Sequence, residues 1–102
     1  SQLSFSRYNR LINYARNNPP TGPVERHHIV PRSMGGSNKA DNIVRLSLRQ
    51  HFIAHWLLWK SYRNAKMANA FWTMACCHGI KISSKTYQLI KLQSLQKISE
   101  LK

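Results

Sequence analysis

Acidic residues are almost missing. Across 102 residues there are 3 Asp+Glu (Glu25, Asp41 and Glu100) against 16 Lys+Arg, for a formal net charge of +13. That scarcity excludes mechanisms built on paired carboxylates, among them the usual glycosidase arrangement and an all-carboxylate two-metal nuclease. Cysteine is scarce too: the 2 residues, Cys76 and Cys77, are adjacent. They lack the spacing of a Cys-x-x-Cys zinc clip and are poorly placed to bridge each other, so they are expected to be reduced and mostly buried. No apolar run approaches the roughly 20 residues that span a bilayer, and no charged-then-apolar leader opens the chain. Neither membrane insertion nor secretion is expected.

The length suits one small domain. With hydrophobic residues at 42%, the chain is too apolar for a disordered basic tail. It reads as a folded, strongly cationic module whose partner is a polyanion. Any acid–base chemistry must come mostly from the 5 histidines.

Along the chain, Ser6 is the expected cap of a first helix that places Tyr8, Leu11, Ile12 and Ala15 on one face. Asn17-Asn18-Pro19-Pro20 ends it, with Gly22-Pro23 beyond. Val24 to Val30 predicts a short strand stopped by Pro31, and Ile43 to Leu46 a second; a glycine-bearing loop joins them as an antiparallel hairpin. Ser47 and Gln50 form a capping box that opens a helix from Leu48 to about Tyr62. A further helix is expected from about Ala65 to His78, stopped by Gly79, and a last one from Ser84 through Leu101. Phe52, Trp56 and Trp59, with Met67, Ala70, Phe71 and Met74, read as core.

Histidines concentrate at His27, His28, His51 and His55. His51 and His55 stand one helical turn apart, so their rings share a face and can hold one divalent ion. The hairpin can fold the His27–His28 pair against that face. A regular strand points those two side chains to opposite sides, so both reach one site only where the strand bends or ends. His27, His51 and His55 are the three that line up as ligands. Structural zinc sites usually close with four protein ligands, whereas three leave the open position a catalytic metal requires.

The ordered string Glu25-Arg26-His27-His28-Ile29-Val30-Pro31-Arg32, Gly35-Gly36-Ser37-Asn38, Asn42-Ile43-Val44-Arg45-Leu46 and His51-Phe52-Ile53-Ala54-His55 resembles the HNH nuclease motif. It is similar in particular to the small phage HNH homing endonucleases. The resemblance implies an α+β, ββα-metal (His-Me finger) fold: a hairpin-plus-helix core with additional flanking helices. The implied organisation is a single nuclease domain over 1–102, with an N-terminal helix and linker (1–23), the core (24–62) and C-terminal helices (63–102). The resemblance makes His28 the general base, and His27, His51 and His55 the metal ligands. It makes Asn42 the residue that holds the His28 imidazole or stabilises the hairpin; Asn38 is its rival for that role.

Glu25, two residues before His27, is a candidate acceptor that orients a ligand imidazole, with a plain surface carboxylate as the alternative. Arg26, Arg32, Lys39, Arg45 and Arg49 surround the motif and are candidate phosphate contacts. Three imidazoles favour zinc, manganese, nickel or cobalt over magnesium, which stays usable because phosphate and water supply oxygens. The implied activity is metal-dependent hydrolysis of double-stranded DNA in the cytoplasm of a phage-infected or bacterial cell. The alternatives are a non-catalytic, metal-braced DNA-binding module and a non-specific bacteriocin-like DNase.

Overall fold

The structure, a computed structural model, describes residues 2–77. The expected final helix from Ser84, Gly79 and His78 lie outside the described residues.

Helix α1 spans Gln2–Asn17 and buries Ser4, Tyr8, Ile12 and Ala15 along one stripe. Ser6 therefore does not cap it, as the sequence suggested; the stripe continues back to Ser4 and draws the first turn into the helix. At the other end the backbone N–H and side-chain Nδ2 of Asn18 both donate to the Tyr14 carbonyl, at 2.8 and 3.0 Å. The prolines that follow cannot continue the ladder.

Strands β1 (Val24–His28) and β2 (Ile43–Ser47) pair antiparallel, with Glu25 opposite Leu46, Arg26 opposite Arg45 and His27 opposite Val44. The two-residue period turns Glu25, His27, Val44 and Leu46 inward and leaves Arg26 and Arg45 exposed. β1 stops at His28, short of the expected Val30, because the Asn42 side chain captures the backbone there. Its Oδ1 accepts from the Val30 N–H at 2.8 Å, while its Nδ2 donates to the Val30 carbonyl at 3.0 Å and to the Ser37 carbonyl at 2.8 Å.

The connection between the strands, read from sequence as a plain loop, holds two short 3-10 turns, Arg32–Met34 and Ala40–Asn42. Gly36 is packed so tightly that a Cβ there would lie 1.7 Å from the Val30 carbonyl oxygen.

Helix α2 (Leu48–Tyr62) begins as the capping box dictates. Ser47 Oγ accepts from the Gln50 N–H at 3.1 Å, and Gln50 Oε1 accepts from the Ser47 N–H at 3.0 Å. It ends at Arg63, whose φ of 51° is left-handed and whose guanidinium lies 4.6 Å from the Trp59 ring centroid. Asn64 Oδ1 then accepts from the Met67 N–H at 2.8 Å and starts helix α3, Ala65–Cys77.

Tyr8 and Ile12 from α1, Val44 and Leu46 from β2, Leu58 and Trp59 from α2, and Met67 and Phe71 from α3 form one buried cluster. Phe52 and Trp56 pack against it beside Phe71, matching the core expectation for that aromatic face. Cys76 does not match: it is exposed, because it falls off the stripe of Met67, Phe71, Met74 and Ala75. The Cys77 side chain lies outside what is described. Among the described residues, no helix is long and apolar enough to cross a membrane.

Candidate metal centre

The capping box sets the start of α2 and hence the phase of its faces; that phase turns His51 and His55 toward the inner side of the hairpin. β1 presents His27 from the opposite side, 3% exposed. The His27 ring meets the other two edge to face, with centroids 5.2 Å apart for His27–His51 and 5.1 Å for His27–His55, and the His51 and His55 rings are tilted with centroids 4.8 Å apart. One ring nitrogen from each lies within 4.8 Å of the other two. The ligand triad expected from sequence thus converges in space.

Glu25 and Tyr8 bracket this group. Glu25 Oε1 stands 2.8 Å from His51 Nδ1, which donates to it and leaves His51 Nε2 as the nitrogen with a free lone pair. The Tyr8 hydroxyl of α1 lies 2.8 Å from His27 Nε2 and donates to the Ile29 carbonyl at 2.6 Å. Sequence reading placed Tyr8 only as packing. Its polar end meets a residue 19 positions away, and no local pattern marks such a contact.

Burial, with the neighbouring imidazoles adding to it, pushes His27 from 6.5 down to about 3. Burial and His51 push His55 down to about 4, against a smaller upward pull from Glu25. Both are therefore neutral at pH 7, the form that ligates a cation. The Tyr8 hydroxyl is pushed well above its ordinary range by burial and stays protonated.

The residues fit a divalent ion by geometry and donor type. Nε2 of His55 lies 3.1 Å from Nε2 of His51, close to the separation of two imidazole nitrogens that share an ion at about 2.0–2.1 Å each, and imidazole nitrogen is a common ligand of zinc and its neighbours.

His28 sits where β1 ends, and that ending lets it reach the same cavity as His27. The cavity, of about 270 Å³, is lined by the four histidines with Arg26, Pro31 and Arg32. The amide that touches the His28 ring is that of Asn38, whose Oδ1 lies 2.8 Å from Nε2. Asn42 instead braces the hairpin through Val30 and Ser37. Of the candidate phosphate contacts, Arg26 and Arg32 line the cavity. Arg45, cross-strand from Arg26, is exposed, as are Lys39 and Arg49, and these three do not line the cavity.

An antiparallel hairpin followed by a helix, with imidazoles converging between them, is the layout of a ββα core within an α+β fold. The chain is similar to proteins of phage T4. It is 39% identical over 95 residues to "Probable mobile endonuclease C", covering 87% of this chain and 44% of the relative. It is 42% identical over 86 residues to "Probable mobile endonuclease E" (78% and 61%). To "Probable mobile endonuclease B" it is 43% identical over 79 residues (76% and 30%).

The resemblance to phage homing-type endonucleases therefore extends over most of the chain. The chain spans less than two thirds of the length of each of these relatives. Their names state an endonuclease and give no catalytic class. No family model matches the chain, and no solved structure matches it.

Proposed function

We propose that this chain carries the catalytic site of a metal-dependent, HNH-type endonuclease that hydrolyses phosphodiester bonds of double-stranded DNA. In this reading it serves a phage homing-type enzyme in the cytoplasm of the infected cell. One observation carries the reading: three imidazoles, that of His27 buried and those of His51 and His55 half-buried, converge beside His28 in a cavity that also presents two arginines. Similarity to mobile endonucleases supports the same substrate class.

His27, His51 and His55 hold the ion, which supplies polarisation of the scissile phosphate and neutralises charge on the leaving 3′ oxygen. Zinc, manganese, nickel or cobalt suits this nitrogen set, and magnesium can serve with oxygen ligands from phosphate and water. His28 is the general base. Its Nε2–H donates to Asn38 Oδ1, so the ring is held in one tautomer with Nδ1 bare to take a proton from water. Asn42 works one step back. By tying the Ser37 carbonyl to Val30 it holds the loop that carries Asn38. Arg26 and Arg32 supply bidentate donors to phosphates flanking the scissile bond, and Glu25 keeps His51 oriented.

The test is relaxation of supercoiled plasmid by metal-stripped protein with each ion added singly, beside His28→Ala. The expected result is nicking or linearisation that needs both metal and His28, with zinc binding and DNA affinity kept in the variant. Cleavage by His28→Ala at the parental rate would remove His28 as the base. A persistent gel shift with no cleavage by any ion would leave a metal-braced DNA-binding module.

A further inference from the structure

The proposed chemistry makes no use of Tyr8, yet its hydroxyl reaches the imidazole cluster from outside the hairpin and α2. It stands on α1, 2% exposed, and its hydroxyl touches two groups at once. A phenol carries a single hydrogen. The Ile29 carbonyl, 2.6 Å away, can only accept, so that hydrogen is committed to it. His27 Nε2, 2.8 Å from the same oxygen, must then donate its own. A neutral imidazole has one N–H, so with Nε2 protonated the in-plane lone pair lies on Nδ1.

We infer that Tyr8 is a positioning residue that holds His27 in its Nε2–H tautomer and makes Nδ1 the nitrogen offered to a divalent ion. The inference rests on the metal centre proposed above. It gives α1 a role beyond packing: the helix reaches into the hairpin-and-helix core and sets the donor atom of one ligand. A carboxylate at position 27 would need no such control, because both of its oxygens accept. A histidine there does need it, since the wrong tautomer would turn an N–H toward the cation. On the other flank Glu25 acts on His51 in the same manner, through Nδ1, leaving Nε2 bare. Two ligands supplied by different elements are thus each fixed in tautomer by a buried or half-buried oxygen.

The first readout is a long-range ¹H–¹⁵N correlation spectrum of the ¹⁵N-labelled full chain, metal-free at pH 7.5 and then with zinc. The expected pattern is a protonated Nε2 and a bare Nδ1 for His27, with zinc moving the Nδ1 resonance. A protonated Nδ1, or a zinc-induced shift at Nε2, overturns the inference.

The second readout is zinc affinity by calorimetry, with Tyr8→Phe checked for folding by circular dichroism. Tyr8→Phe should populate both His27 tautomers and weaken zinc binding by about 10–100-fold. In a His27→Ala background the same change should alter affinity by less than about twofold. Equal losses in both backgrounds would reduce Tyr8 to packing and refute the proposal. Should Tyr8→Phe not fold, the parental spectrum decides the question alone. Absence of zinc binding by the parental chain would remove the metal centre itself, while the metal-free spectrum would still report whether Tyr8 sets the tautomer.

Discussion

Two buried neutral histidines make the metal-free protein acid-sensitive in a window set by their own shifts. His27 falls from 6.5 to about 3 and His55 to about 4, both chiefly through burial. A folded-state value below the unfolded one means that the unfolded chain binds the proton more readily. Stability is therefore complete above pH 6.5 and drains away as pH falls toward the folded values. At pH 5.5 an unfolded histidine has taken up about 0.9 of a proton and its buried counterpart almost none, a loss of about 1.4 kcal/mol for each group. The pair should lose about 3 kcal/mol between pH 8 and pH 5.5, a large share of the stability of so small a domain.

The assay is urea denaturation in the presence of a chelator at several pH values, for the parental chain and for His55→Leu. Subtracting the two curves cancels the titrating groups that do not feel His55; His27, lowered chiefly by burial, stays neutral at pH 5.5 in both proteins. The difference should widen by about 1.4 kcal/mol as pH rises from 5.5 to 8, because the variant has lost one of the two sensitive groups. Parallel curves would refute the reasoning, since they would mean that His55 titrates alike in folded and unfolded chains.

The hairpin and the helix start offer two further tests. Asn42→Ala removes three hydrogen bonds that pin the ends of the connecting loop; it should cost about 2–3 kcal/mol in urea denaturation and slow cleavage by freeing Asn38. A loss under about 0.5 kcal/mol would show that the loop holds itself. Ser47→Ala deletes the hydroxyl half of the capping box. A stability loss of about 1 kcal/mol is expected, with zinc affinity weakened as the first turn before His51 frays. Unchanged affinity alongside that loss would show that His51 is placed by packing alone.

Those features written in short-range chemistry were legible in the chain itself. The capping box set the start of α2, and the i, i+4 spacing put His51 and His55 on one face; both depend only on helix geometry over a few residues. Two runs rich in β-branched residues and the glycines between them gave the hairpin. The scarcity of carboxylates pointed to imidazole chemistry, and the excess of lysine and arginine to a polyanionic partner.

Tertiary structure decided what depends on distant parts of the chain meeting. β1 ends at His28 because a side chain from the far end of the loop competes for the Val30 backbone, a contact no strand propensity contains. The same capture commits Asn42 to the loop and leaves the His28 ring to Asn38, a division of labour between two asparagines that neighbouring sequence could not assign. Tyr8 looked like any apolar-face residue of α1 until folding placed its hydroxyl against an imidazole 19 residues on. Local sequence encodes which dihedral angles and faces are favoured. It does not encode which polar atom, brought out of water on folding, will find which partner, and the donor atoms of this site depend on that pairing.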